Sequence, residues 1–154
     1  VGARKQAAKA EPEPQRHTGS LIRRAQQRHV ALWLGEVSGE ITSVQYAVLA
    51  VLERRPGVGQ IELCEELDLD RSTIADVAKR LERNGLVTRD KHGQDRRRYL
   101  LLLTKRGLAE LQRLRPRVSA VQRSLVKGLS GAEHAELRRL LKKLLAGPGG
   151  QLLP

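Results

Sequence analysis

Aromatic residues are scarce in this chain. Its 154 residues include Trp33, Tyr46 and Tyr99 and no Phe. Proteins that bind single strands or RNA stack bases on aromatic side chains, so the composition argues against that class. Cysteine is nearly absent too. Cys64 stands alone, which excludes an intrachain disulfide and fits a reducing compartment. A chain of this length buries a sufficient core without staples. No apolar run approaches the ~20 residues that span a bilayer, and the start lacks a signal-peptide pattern. The expected location is the cytoplasm. His17, His29, His92 and His134 form no HExxH pattern, and no cysteine pair offers a metal site. There is no phosphate-cradling glycine loop and no nucleophile elbow. The chain is therefore not expected to be an enzyme, nor to carry a metal or cofactor.

What the chain has in excess is positive charge. The formal net charge is +12 and the pI is near 10.8. The charge is segregated: residues 25–69 carry seven acidic groups against three basic, whereas 104–127 carry seven basic against one acidic. A strongly basic protein calls for a polyanionic partner. With so few aromatics, duplex DNA is the expected one, and an anionic membrane surface is the rival.

Residues 1–17 lack apolar periodicity and are expected to form a flexible basic arm. Residues 147–154 contain "GPGG" and are expected to form a flexible tail. Between them the spacing predicts six helices. The first begins near Thr18 and ends near 40, with Ile22, Ala25, His29, Leu32 and Glu36 in one stripe. Thr42 caps a second, with Gln45 at the capping-box position, and "RPG" stops it after Arg55. A third, about 60–67, turns Ile61, Cys64 and Leu67 inward. After the break "DLD", Asp70 caps a fourth whose Ile74, Val77, Ala78 and Leu81 form an amphipathic stripe. Asn84-Gly85 ends it. "LVTRD" and "RYLLLL" read as two strands of a hairpin. Thr104 caps a long fifth helix through Leu108, Leu111, Leu114, Val118, Val121 and Leu125, with a kink expected at Pro116. The last helix, about 130–146, carries Leu137, Leu140, Leu141, Leu144 and Leu145.

The third and fourth helices, joined by a tight break, form a helix-turn-helix pattern. At about 100° per residue, Ser72, Asp76, Lys79, Arg80 and Arg83 lie opposite the apolar stripe, with Thr73 at the same helix start. Such groups contact base edges and phosphates in a major groove. Any amphipathic helix has a polar face, so this helix alone decides little. Asp76 repels phosphate. It either pairs with Lys79 or Arg80, the preferred reading, or accepts a hydrogen bond from a cytosine amino group.

The hairpin that follows, with "DRRR" at its tip, changes the weighing. "LDLDRSTIADVAKRLERNGLVTR" followed by "DRRRYLLLLT" resembles the MarR family of bacterial regulators. The family's wing pattern matches at Asp95, Arg97, Leu103 and Thr104, and "LTKRG" fits the start of the next helix. The resemblance covers about residues 18–146. It implies a mainly α fold with a small β-hairpin wing: a winged helix-turn-helix lobe (41–103) with a helical dimerisation region (18–40 and 104–146). It implies a homodimer that sets one recognition helix per subunit in the major groove of a pseudo-palindromic operator. It further implies that Arg97 enters the flanking minor groove and that Asp95 orients it. Arg96 and Arg98 are additional charges beyond the pattern, for phosphate or for solvent. A narrow minor groove attracts a guanidinium by its potential. The leucine surplus agrees with a dimer, because one small subunit cannot hide it. The competing account lays helix 104–126 on a membrane, but Pro116 and the wing favour the dimer.

Many MarR-like proteins release DNA on binding a small aromatic acid. Here Arg23, His29 and Trp33 are the candidates for such an effector, with the guanidinium holding the carboxylate. For His29 an ordinary core position is an equal reading. Cys64 is read as a structural thiol, since a sensor needs an exposed, low-pKa sulfur. The expectation is therefore a repressor, with a constitutive architectural DNA binder as the alternative and a membrane-surface protein behind it.

Overall fold

A computed structural model describes residues 17–37, 39–92 and 95–146, with the backbone alone at 91, 92 and 95–98. The expected N-terminal arm through residue 16 and the tail from 147 lie outside the described residues. The order is α1 (Thr18–Glu36), α2 (Ser43–Arg54), β1 (Val58–Gly59), α3 (Gln60–Leu67), α4 (Arg71–Arg83), β2 (Val87–His92), β3 (Asp95–Leu103), α5 (Lys105–Leu125) and α6 (Gly131–Leu145). Among the described residues, no helix is long and apolar enough to cross a membrane.

α1 ends sooner than expected, where the Val37 amide closes the last turn on the Trp33 carbonyl at 2.9 Å. The expected stripe along α1 is only partly inward. Trp33 and Val37 are buried, His29 and Leu32 are half-buried, and Ile22 and Ala25 are exposed. Burial along α1 is thus confined to its C-terminal half, from His29 onward, while residues 21–28 are exposed.

α2 opens as expected. The Gln45 amide donates to Thr42 Oγ1 at 3.2 Å, and Gln45 Oε1 accepts from the Thr42 amide at 2.9 Å. Two otherwise unpaired amides are thus satisfied reciprocally. After the turn at Gly57, whose φ is +78°, the chain forms a strand that the sequence reading did not contain. β1 pairs antiparallel with β3, Val58 opposite Leu101 and Gly59 opposite Leu100. The sheet has three strands in the order β1-β3-β2, rather than a lone hairpin. Two residues are too short to show alternation.

α3 has the expected bounds but is rotated. Leu63 is fully buried, Ile61 is 48% exposed, and Cys64 and Leu67 are half-buried. Apolar side chains at 61, 63, 64 and 67 allow two stripes on so short a helix, and packing chose the one through Leu63. The core joins Leu49, Leu52, Leu63, Ile74, Leu81 and Leu101 to Leu111, Leu114 and Val121 of α5. α5 continues through Pro116 as one helix. Its expected stripe is graded: Leu111, Leu114 and Val121 are buried, Val118 and Leu125 half-buried, and Leu108 exposed. α6 is capped by Ser130, but its five leucines at 137, 140, 141, 144 and 145 remain 40 to 62% exposed.

Candidate nucleic-acid interface

The turn between α3 and α4 is set by Asp68, which adopts the left-handed conformation at φ +52°. A short polar side chain is among the few that tolerate it. Asp70 then caps α4. Its carboxylate accepts from the Thr73 amide at 2.8 Å and the Thr73 hydroxyl at 2.6 Å, and from the Ser72 hydroxyl. These donors, the Ser72 hydroxyl first, hold the Asp70 carboxyl far below the usual carboxylate range. Ser72 and Thr73 therefore have their hydroxyl hydrogens engaged inside the protein. Their oxygens keep acceptor capacity toward an amino group.

The far end of α4 closes as a Schellman motif: Leu86 N bonds Leu81 O at 2.9 Å and Gly85 N bonds Glu82 O at 2.9 Å. Gly85 takes φ +68°, which suits a residue without Cβ. Between these ends the helix buries Ile74, Ala78 and Leu81. Ser72, Asp76, Lys79, Arg80 and Arg83 are all exposed, and Thr73 is half-buried. No ion pair joins Asp76 to Lys79 or Arg80 among the described residues, contrary to the preferred expectation. An open cleft of about 490 Å³ runs beside this face, lined by Thr42, Gln45, Asp76, Lys79, Arg80 and Arg83. A second, of about 610 Å³, continues past Arg83 to Arg106 and Arg113. Arg113 is committed to Glu110 through two bonds, 2.9 and 2.6 Å. The bonded guanidinium lowers the Glu110 carboxyl below its ordinary value.

The wing follows directly. β2 and β3 pair from Val87–Leu103 to Lys91–Tyr99, with an irregularity between Lys91 and His92. Asp95, Arg96, Arg97 and Arg98 open β3. Their side chains, and with them the expected Asp95–Arg97 contact, lie outside the described residues. The base of the wing is well defined. Arg89 on β2 lies 3.0 Å from the Glu82 carboxylate on α4. Thr104, at the exit of β3, donates to the Gly85 carbonyl at 2.7 Å and accepts from the Gly107 amide at 2.9 Å. A Cβ at Gly107 would overlap the Leu86 carbonyl oxygen, so α5 approaches the end of α4 as only glycine permits. The sequence reading singled out neither Arg89, Glu82 nor Gly107. The parity of Arg89 with Val87 along β2 was the available signal for the first.

Of the effector candidates on α1, His29 and Trp33 come together, whereas Arg23 lies apart from them. Trp33 is 5% exposed, and its indole N–H donates to the Ile41 carbonyl at 2.7 Å. It meets Tyr46 edge-on at 5.9 Å between centroids and stands 6.0 Å from the His29 ring. Arg23 is exposed and donates to Gln27 at 3.4 Å. Six residues separate it from His29, which turns it about 120° around the helix axis. Burial is the leading cause of an upward shift of the Cys64 thiol, with Arg71 opposing, as suits a structural cysteine. No cluster able to hold a metal occurs among the described residues.

Comparison with known proteins places this architecture. The MarR family model matches residues 41–99, which span α2, the helix-turn-helix and most of the wing. The transcriptional regulator HosA of Escherichia coli O111:H- is 32% identical over 80% of this chain and 91% of its own length. Among solved structures, the PcaV transcriptional regulator from Streptomyces coelicolor in complex with its natural ligand is 41% identical. It aligns with a TM-score of 0.83 over 88% of this chain and 96% of that one. Bordetella bronchiseptica BpsR, whose DNA binding is regulated by 6-hydroxynicotinic acid, is 29% identical with a TM-score of 0.81, covering 85% and 94% of the two chains. Sequence, helix-turn-helix and wing agree, and the chain belongs to the MarR family of transcriptional regulators.

Proposed function

We propose that two copies of this chain pair through α1, α5 and α6 and bind a pseudo-palindromic operator as a repressor released by a small aromatic acid. The observation that carries the DNA-binding part is the exposed face of α4, where Ser72, Lys79, Arg80 and Arg83 stand on a helix capped at both ends and backed by core. Such a helix fits a major groove, and its cations displace counterions from phosphate. Arg97 takes the flanking minor groove with Asp95 as its orienting partner, and Arg96 and Arg98 contact phosphate. Thr73 and Asp76 sit at the groove floor as acceptors. The dimer is supported by the leucine face of α6, which is too apolar to stand in water. In it, 18–40 and 104–146 serve pairing and 41–103 serves DNA.

For the effector, the reading is supported by BpsR, which responds to an aromatic acid, and by the cationic, aromatic make-up of α1. Arg23 binds the carboxylate, with the half-buried His29 ring, backed by Trp33, against the aromatic ring. Because Arg23 and His29 face different sides of α1, such a site takes its parts from two subunits.

Footprinting with Arg97→Ala and Arg83→Ala tests the assignment. Arg97→Ala is expected to lose protection at the operator flanks alone, and Arg83→Ala to weaken the half-site centres. Wild-type footprints from Arg97→Ala would remove the wing from the interface. Equal affinity of the wild type for random and operator DNA would instead make the protein architectural, and binding to anionic liposomes in place of DNA would make it a membrane-surface protein.

A further inference from the structure

We propose that the Glu82–Arg89 pair is a strut that fixes the wing relative to the recognition helix, which makes Arg89 a positioning residue for DNA binding. The inference rests on the DNA-binding reading above. Register sets Val87 opposite Leu103 and Arg89 opposite Leu101. Alternate residues of a strand share a face, and Val87 and Leu101 are both buried. Arg89 therefore points inward, beneath the sheet, where a charge is costly without a partner. Its stem covers apolar surface and its head reaches sideways. The side chain is 18% exposed, and Nε lies 3.0 Å from Glu82 Oε2. Nε and Nη2 are buried and make no aligned hydrogen bond among the described residues. Among the described residues, the Glu82 carboxylate is thus the charge that offsets the guanidinium.

Glu82 is well placed for this task. It precedes Arg83 and so lies about 100° around α4 from the outward face, on the side toward β2. The backbone joins α4 to β2 only through the tight turn at Asn84, Gly85 and Leu86. That turn sets where β2 begins. The tilt of the hairpin about it depends on contacts further along, and the pair spans the turn from Glu82 to Arg89. A protein that reads a major groove with α4 and a minor groove with the wing needs that tilt held.

The test uses the full-length chain on DNA that the wild type selects from a random pool. Glu82→Gln is the informative variant. It removes a negative charge from the DNA side, so electrostatics alone predicts tighter binding. The strut predicts affinity about fivefold weaker, with hydroxyl-radical protection lost at the flanks and kept at the half-site centres. The charge exchange Glu82→Arg with Arg89→Glu is expected to restore the flanks without changing net charge. Arg89→Gln alone should lose them, with thermal unfolding confirming that each variant is folded. If Glu82→Gln does not fold, the exchange and Arg89→Gln decide the matter by the same flank readout. Binding by Glu82→Gln as tight as wild type with intact flanks overturns the strut alone. A wild type that protects no defined site overturns the DNA-binding reading instead.

Discussion

The Thr104 hydroxyl donates to the Gly85 carbonyl at 2.7 Å, tying the first turn of α5 to the loop that ends the recognition helix. The same oxygen accepts from the Gly107 amide at 2.9 Å, and the Thr104 amide donates to the Leu86 carbonyl at 3.1 Å. One residue therefore caps a helix of the proposed dimer region and anchors the end of the helix proposed to read DNA.

Thr104→Val removes the cap and the tie while preserving shape. It is expected to destabilise the fold by about 1 kcal/mol or somewhat more, whereas Thr104→Ser stays near wild type. Urea unfolding at constant m-value checks the difference.

Gly107→Ala is expected to destabilise by roughly 1–3 kcal/mol, although alanine ordinarily favours a helix. The added methyl meets the Leu86 carbonyl oxygen, which is backbone and cannot swing aside. The exposed Gly35, with open space around its position, is the control, and Gly35→Ala should stabilise slightly. Melting temperatures of the two variants should move in opposite directions.

Asp70 predicts a pH signature. Its folded pKa is depressed by hydrogen bonds from Ser72 and Thr73, so its contribution is present above the unfolded value of ~3.9 and fades as pH falls toward the folded value. Asp70→Ala should be less stable than wild type at neutral pH, and the gap should narrow progressively below pH ~4. Denaturation curves of both proteins from pH ~7 to pH ~2.5 check this. A gap independent of pH would mean that the carboxylate does not hold these bonds.

For the effector, a carboxylated phenol or hydroxypyridine is expected to raise the melting temperature by mass action and to release bound DNA. Arg23→Ala should lose both responses while keeping DNA affinity. Thermal shift and a gel-shift titration against a panel of such acids measure them. A panel without effect on either would leave a regulator that does not respond to aromatic acids.

How much was legible beforehand follows from the physics of each element. Caps are local, so Thr42, Asp70, Thr104 and the Asn84-Gly85 stop could be read directly and fall where expected. The face of α3 was not readable. In eight residues, Ile61 and Leu63 compete for the interior, and tertiary packing decided for Leu63. β1 was missed because two residues carry no period, and their pairing with Leu100 and Leu101 is long-range. The outward residues of α4 were legible from the 3.6-residue period. That Ser72 and Thr73 spend their hydroxyl hydrogens on Asp70 was not, because it depends on rotamers. The Arg89–Glu82 contact was equally hidden, since it joins a strand to a helix across a turn.

Selection of bound DNA from a random duplex pool, with and without aromatic acids, tests the central claim most directly. The account predicts enrichment of a pseudo-palindrome with half-sites about one helical turn apart, lost steeply as salt rises. A pool that stays random, or that binds as well as any enriched sequence, would contradict it.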